Sequence, residues 1–455
     1  MAEDPANNPA PKGGPKWGTV RAQNVLRVPR AWMLPLAIPV IIIGLVTAIY
    51  IGSVIDPADH LQGLPVVVVD QDAGAQGPTG HLDLGQSLVH VLESSPEVTS
   101  KLALDVTSLA NAETTMNRGG AYVAVVIPAT FTASALLDAG YAAQPGTHPP
   151  TTPDVELLEN LRLGSLGVNL AAGVITPAVD DASKALGSAL AAQSTAAVKS
   201  NAELAAQVSD PIRLLPTSYR PLPSRSALGL SAFYVSLIAI LAGFLAGTVI
   251  NSSMDAALGY AATDLGPKWK FRMPLPITRR QTLLAKWSMG AVAAPILAAV
   301  ILVIAVGGFA MYAPNFGILW LLLSLTTFMV ATGTLALLAA FGSFGQLLAM
   351  VLILYLSLAS SGGTVPTQAL PGFFRVVGQV EPLRQTLGGA REVLYFGAQW
   401  QAGLSQAVVV LCAELAFFAV LGLLVVSWYD RRNLYRIQPE ILSYVQRAVA
   451  ERAAS

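Results

Sequence analysis

The residues of this chain that could do chemistry are few and scattered. Cys412 is the only cysteine, so neither a disulfide nor a thiolate metal cluster can form within one chain. His60, His81, His90 and His148 stand at spacings that make no metal-ligand set. The sequence has no Gly-x4-Gly-Lys-Ser/Thr run to cradle nucleotide phosphates and no Gly-x-Ser-x-Gly nucleophile turn. The chain reads as no enzyme, with no cofactor. One group remains, the carboxylate of Glu414 in an apolar run. An ionisable group at membrane depth costs about 3 kcal/mol or more and implies a role. Glu414 is either a proton-binding site or an interhelical contact accepting hydrogen bonds from Ser324, Thr326, Thr327 or Thr332. The small residues Thr327, Ala331, Gly333 and Thr334 allow close helix approach there.

The elements around these residues are membrane spans. Six apolar stretches run from Ala31 to Ile55, Ala227 to Ile250, Ser288 to Met311, Ile318 to Phe341, Phe344 to Ala359 and Leu404 to Trp428. A hydrocarbon core about 30 Å thick needs about 20 apolar residues per helix, and five of the six reach that length. The 12% content of charged residues, about half that of soluble domains, agrees, as does the mean hydropathy of +0.57. The predicted fold class is a polytopic α-helical membrane protein of six spans, with an extracytoplasmic α/β domain between spans 1 and 2.

Charge sets the expected orientation. Lys12, Lys16, Arg21, Arg27 and Arg30 precede the first span; Lys268, Lys270, Arg272, Arg279, Arg280 and Lys286 lie between the second and third; Arg431, Arg432, Arg436, Arg447 and Arg452 follow the last. The insert at 56–226 holds 17 acidic and 8 basic residues. By the positive-inside rule, segments 1–30, 251–287 and 429–455 are cytoplasmic and the insert is outside, in a plasma-membrane protein. The first span, 31–55, follows a Pro-rich start without a small-residue cleavage site and is expected to stay as an anchor.

Without disulfides the insert must be held by packing. Leu64 to Val69 and Ala121 to Ile127 are β-branched strand runs, and Leu102 to Thr107 alternates as a strand. Leu84 to Leu92, Ser108 to Met116 and Phe131 to Leu137 read as helices. This β-α-β-α-β order predicts a small α/β sheet with helices on its face. After a linker from Gly140 to Pro153, the stretch from Leu166 to Val208 is Ala-rich and expected to be helical for most of its length, broken or kinked at Pro177. Its stripe of Val168, Ile175, Val179, Ala182, Leu186 and Leu190 would pack within the domain or against a second copy.

Several of these segments resemble a known superfamily. Leu64-Pro65-Val66-Val67-Val68-Val69-Asp70-Gln71-Asp72 resembles the strand after the first span in the phage infection protein (Pip/YhgE) family and related type-2 ABC exporter permeases. Gly120 to Pro128, followed by Phe131, is similar to another element of that superfamily. The strongest likeness is Ser361-Gly362-Gly363-Thr364-Val365-Pro366, then Leu370-Pro371-Gly372-Phe373-Phe374, Pro382 and Gly389-Ala390-Arg391. The chain departs from the pattern at Val365, where an aromatic residue is usual, and at Leu383-Arg384, where a Met-Thr-like pair is usual. The layout is equally compatible with nitrosoguanidine-resistance-type proteins. Met273 to Lys286, with Pro276-Ile277-Thr278-Arg279 and Leu283-Leu284-Ala285-Lys286, resembles the segment leading into the third span of these permeases.

The resemblance implies the membrane-spanning subunit of an ABC-type exporter, working as a homodimer and moving a lipid-like, amphipathic or glycan-bearing substrate with a separately encoded ATPase. It needs membrane lipids as partners and no nucleic acid. Asp255, Tyr260, Arg279 and Arg280 are then the candidates for ATPase coupling, with Ser253 to Ala262 as a short docking helix and Thr278 as the N-cap of the third span. The same cations could simply face anionic headgroups. In the five-span region at 227–428, the loop at 360–402 combines Gly freedom with three prolines. It reads either as a re-entrant helix pair gating the outer end of a path or as an amphipathic loop on the bilayer. Gly362, Gly363, Pro366, Phe373, Phe374, Pro382 and Arg391 are its gate candidates. Two other classes stay open: a non-transporting scaffold or receptor, and a proton-coupled carrier using Glu414.

Overall fold

The computed structural model describes residues 30–77, 80–140, 153–194, 196–265, 268–270, 272–400, 403–434, 436 and 443. Most of the 1–30 segment, the linker at 141–152 and nearly all of the tail after 436 lie outside the described residues. The chain divides into one unit ending at Gly52 and a second beginning at Ser53. Among the described residues the first holds the helix Arg30–Val54 as far as Gly52.

Among the described residues six helices are long and apolar enough to cross a membrane: Ala37–Val54, Ser231–Ala257, Arg279–Gly308, Phe316–Phe341, Ser343–Ser360 and Leu404–Arg431. The second differs from expectation. It passes Ile250 without a break to Ala257, because Asn251 to Ala257 contains neither Gly nor Pro. Gly259, at φ +79°, is its first stop. Tyr260 N–H bonds Asp255 O at 2.8 Å and Gly259 N–H bonds Ala256 O at 3.2 Å, the paired closure of a Schellman end. The separate docking helix at Ser253 to Ala262 is therefore absent; its first turns belong to the span. The third span begins where sequence predicted, with Thr278 Oγ1 accepting from Gln281 N at 3.2 Å.

Spans 2 to 6 and the helix Pro382–Tyr395 share one apolar core, including Ile240, Leu302, Leu319, Leu323, Ile353 and Leu411. Span 4 is its axis, packing against spans 2, 3 and 6. Small residues make this possible: a methyl group on Gly243 would press on Val330 and the Thr327 carbonyl, and one on Gly422 would press on Trp287 and Ala336.

The insert forms a five-stranded sheet in the order β4-β1-β5-β6-β7. Its strands are β1 (Leu64–Asp70), β4 (Leu102–Val106), β5 (Val123–Ile127), β6 (Asp154–Glu159) and β7 (Arg213–Ser218); β2 (Ala75–Gly77) and β3 (Gly80–Leu82) make a side hairpin. β1 pairs in parallel with β4 and β5, in registers Leu64↔Leu102 and Val66↔Val123, and β5 meets β6 antiparallel. Val67, Val69, Ala124 and Val126 face Ala112 and Met116 of the helix Leu109–Asn117. Alternate residues must face the other way, where the helices Leu84–Ser94 and Ser165–Gln193 cover β1. The long helix is not broken at Pro177. Its stripe packs within the domain: Val168, Ile175 and Val179 are at most 1% exposed. β6 and β7 were not foreseen. β6 carries acidic residues at its exposed positions, and β7 is an edge strand holding Pro216, which central strands exclude.

Candidate functional site

Two polar sites lie at the two ends of the bundle. The first is built by the segment between spans 5 and 6, which meets the α/β domain. Span 5 ends at Ser360, whose hydroxyl bonds back to Leu356 O at 2.7 Å; Ser361 Oγ then accepts from Gly363 N at 3.1 Å. Gly362 takes φ +72°. Gly363 sits so near Phe233 of span 2 that any side chain would overlap the ring. Pro366 leads into a single turn, Thr367–Ala369, and the short helix Gly372–Val377 follows. Phe374 turns inward, but Phe373, Val376 and Val380 are each more than 60% exposed.

Pro382 then opens the helix Pro382–Tyr395 at a position where a missing N–H is harmless. This helix does not lie on the surface. Leu383, Leu387, Ala390, Val393 and Leu394 are buried among spans 2, 4 and 6. Thr386 Oγ1 meets Thr326 Oγ1 at 2.9 Å, and Leu383 N bonds Ser357 Oγ at 3.1 Å.

The α/β domain is fastened to this segment by residues that sequence reasoning passed over. Arg162 donates to Tyr395 O at 3.0 Å; Arg375 donates to Gln62 Oε1 at 3.0 Å and to His60 O at 3.1 Å. Tyr395 hydroxyl closes on Ser231 Oγ at 2.6 Å. Spacing gives no sign of such long-range pairs. Between the two parts lies a cavity of about 200 Å³, bordered by Tyr122, Gly362, Arg384, Arg391, Glu392 and Gln406. Burial holds the carboxyl of Glu392 up at about 8 and that of Glu381, at the start of the same helix, up at about 7, the latter opposed by a hydrogen bond from Ser357.

At the opposite end, a second cavity of about 430 Å³ is bordered by the ends of spans 2, 4 and 6 and the starts of spans 3 and 5. Asp255 is its hub. The carboxylate accepts from Lys286 Nζ at 2.7 Å and from both terminal nitrogens of Arg436, at 2.6 and 2.7 Å. Lys286 also reaches Asn251 Oδ1 at 2.7 Å. With 7% of its surface exposed, Asp255 lies inside the protein rather than on a docking surface. Tyr260 stacks under the Arg436 guanidinium at 4.6 Å and donates its hydroxyl to Leu275 O at 2.6 Å. The third span's N-terminus rests on Asp430, which accepts the backbone N–H of Arg279 and of Arg280 at 3.1 Å each, a carboxylate at the positive end of a helix dipole. Arg279 lies over Tyr429, and the Arg280 side chain is exposed. Asp430 was not singled out from the sequence, although a carboxylate just past an apolar run is a signal.

Glu414 meets none of its expected donors. Both carboxylate oxygens are covered and have no hydrogen-bond partner. Ser324 bonds Trp320 O, Thr326 bonds Thr386, and Thr327 bonds Ala239 O; Thr332 Oγ1 is itself unpartnered. The helices are held together there by close packing instead, with Gly333 against the Phe418 ring. The Asp70-Gln71-Asp72 run is structural in its contacts: Asp72 accepts from Gly74 N, Gly85 N, and both the backbone and hydroxyl of Thr132. Among the described residues no group of three His, Cys, Asp or Glu could hold a metal ion.

The sheet-bearing insert, the six spans and the buried helix before the last span define the class. Residues 30–424 match the ABC-2 family transporter protein family, and the chain belongs to it. That family is one of ABC transporter membrane proteins, and the long apolar helices make this chain a multi-pass membrane protein. The uncharacterized protein YhgE of Bacillus subtilis (strain 168) is 36% identical over 87 residues, 18% of this chain. The matched stretch spans 11% of that relative's length. A crystal structure of a domain of a candidate ABC type-2 transporter from Thermotoga maritima MSB8 is 17% identical and covers 34% of this chain and 85% of its own, at a TM-score of 0.23. So low a score lends no weight to a comparison of folds.

Proposed function

We propose that the chain is the membrane-spanning subunit of an ABC-type exporter in the plasma membrane, working as a homodimer with a separately encoded ATPase. Its α/β domain lies outside and its 251–287 loop inside, and its cargo is a lipid-like, amphipathic or glycan-bearing molecule. The observation that carries this reading is that span 6 borders both polar cavities. Gln406 and Ala407 line the one beside the α/β domain, and Val426 and Tyr429 line the other. At 1.5 Å per residue these lie about 30 Å apart, the thickness of a hydrocarbon core. One rigid helix thus joins the end where basic residues gather to the end where the α/β domain is fastened.

ATPase coupling in this reading runs through the surface of the 251–287 loop. Met273, Leu275 and Arg280 are exposed there. Asp255 and Tyr260 act from behind it, tying the loop to spans 2 and 3 and to Arg436. The gate candidates Gly362, Gly363, Pro366, Phe373, Phe374, Pro382 and Arg391 belong to the segment at the outer end. The test is movement of fluorescent phospholipid in vesicles holding this chain with its genomic-neighbour ATPase. ATP-dependent movement that is lost on mutating the ATPase supports the reading. A chain that binds no nucleotide-hydrolysing subunit supports the scaffold or receptor class instead.

A further inference from the structure

Two arginines in the cavity beside the α/β domain have charge without a counter-charge. Arg384 and Arg391 are seven residues apart on the helix Pro382–Tyr395 and therefore share a face. Both border the 200 Å³ cavity. Arg391 Nη2 reaches only the carbonyls of Gly362 and Gly363, at 3.4 and 3.5 Å, which is the outer limit of a hydrogen bond. Its Nε and the Nη1 of Arg384 are covered and have no partner. The ion pairs among the described residues join Lys101 to Glu97 and Asp255 to Lys286 and Arg436, so neither arginine is in one.

Burying a guanidinium without a partner is costly, and leaving its N–H groups unmet adds to the cost. The carboxyl in the cavity wall does not relieve it. Glu392 borders the same cavity with Oε2 unpartnered, and burial keeps it largely in the acid form at neutral pH. It can therefore donate a hydrogen bond to an anion. Two forked donors and a carboxylic acid around one small space form an arrangement suited to a phosphate or carboxylate. The cavity is too small for a whole lipid but adequate for a headgroup, and its wall includes the first turn of span 6 at Gln406 and Ala407. An anion held there is positioned to have its apolar part among the spans.

We infer that Arg384 and Arg391 form a binding site for the anionic headgroup of an amphiphile, a phosphate or carboxylate attached to an apolar chain. This rests on the exporter reading and narrows its cargo to anionic members of the lipid-like class.

The test uses full-length protein purified in a neutral detergent, with no ATPase or nucleotide present, so that its outcome is independent of whether transport is observed. Phosphatidylglycerol, phosphatidylcholine and inorganic phosphate are titrated while lipid retention is followed by native mass spectrometry and unfolding by thermal shift. Phosphatidylglycerol should bind and stabilise the wild type, and phosphatidylcholine should not. Arg384→Gln should weaken phosphatidylglycerol binding by about tenfold, the usual effect of losing a charge-assisted hydrogen bond. Arg391→Lys, which keeps the charge and loses the fork, should weaken it as well. Arg384 and Arg391 are both partly buried, and the Arg384 variant serves where substitution of Arg391 lowers folding. Equal phosphatidylglycerol binding by wild type and Arg384→Gln overturns the site. Inorganic phosphate that stabilises as well as the lipid, at equal concentration, overturns the amphiphile.

Discussion

Asp138 is 2% exposed and neither of its carboxylate oxygens has a hydrogen-bond partner. Burial raises it from 3.8 to about 6. Because the folded value lies above the unfolded one, the ionised form is the one that folding disfavours. The group's stability contribution is complete below about pH 4 and is lost as pH rises through about 6. Asp138→Asn should leave unfolding unchanged at pH 4 and stabilise the α/β domain by about 1–3 kcal/mol at pH 8, measured by thermal unfolding in detergent. An equal shift at both pH values contradicts this origin. At Glu414 the same measurement separates two roles. A carboxylate without partners costs insertion energy and returns none, so Glu414→Leu should raise the unfolding temperature. A fall would mean that the carboxylate is held by an interaction. If Glu414→Gln is present at wild-type levels yet inactive in transport, the proton-coupled reading gains instead.

At the scale of elements, the strongest local device is the Asp255 hub, which joins the end of span 2 to the start of span 3 and to Arg436. Removing one member of a buried pair strands the others, so Asp255→Asn should cost about 3 kcal/mol. The variant Asp255→Leu combined with Lys286→Met and Arg436→Met should recover much of that loss, because the uncompensated charges disappear together. A single and a triple variant with equal loss would sink the hub. Gly363 is a second device: Gly363→Val forces a branched side chain into Phe233 and should lower folded yield more than Gly388→Val, where nothing stands within 4 Å. What sequence revealed follows the same physics. β1, β5 and the spans were legible because each is a long, one-phase run of apolar residues. Span 2's true end was not, since polar Asn251 to Asp255 look like a loop until one asks what could stop the helix, and the first stop is Gly259. Of the sites, the glycines and prolines of the 360–402 loop were visible as backbone signals. Arg162, Arg375 and Asp430 were not, because their partners lie on elements far away in sequence, and Arg384 was not, because the cavity it borders is assembled from such distant elements.

For the whole molecule, orientation and coupling are the consequences that matter. With Cys412 replaced by Ser, a cysteine at Ser100 in the α/β domain should react with an impermeant maleimide in intact cells, and one at Ser252 should react only after lysis; the opposite pattern reverses the orientation. Charge asymmetry predicts the first outcome. In the proposed reading the bundle's two ends have separate tasks, cargo recognition beside the α/β domain and energy input at the 251–287 loop. The most direct test of that division is photo-crosslinking in native membranes from Leu275 and Arg280, two exposed positions on the loop, with Phe373 at the other end as the control. A nucleotide-binding subunit captured from Leu275 and Arg280, and not from Phe373, is the predicted result. Capture of no ATPase from either loop position, with the chain present at normal levels, would contradict the claim that this protein is the ATP-driven half of an exporter.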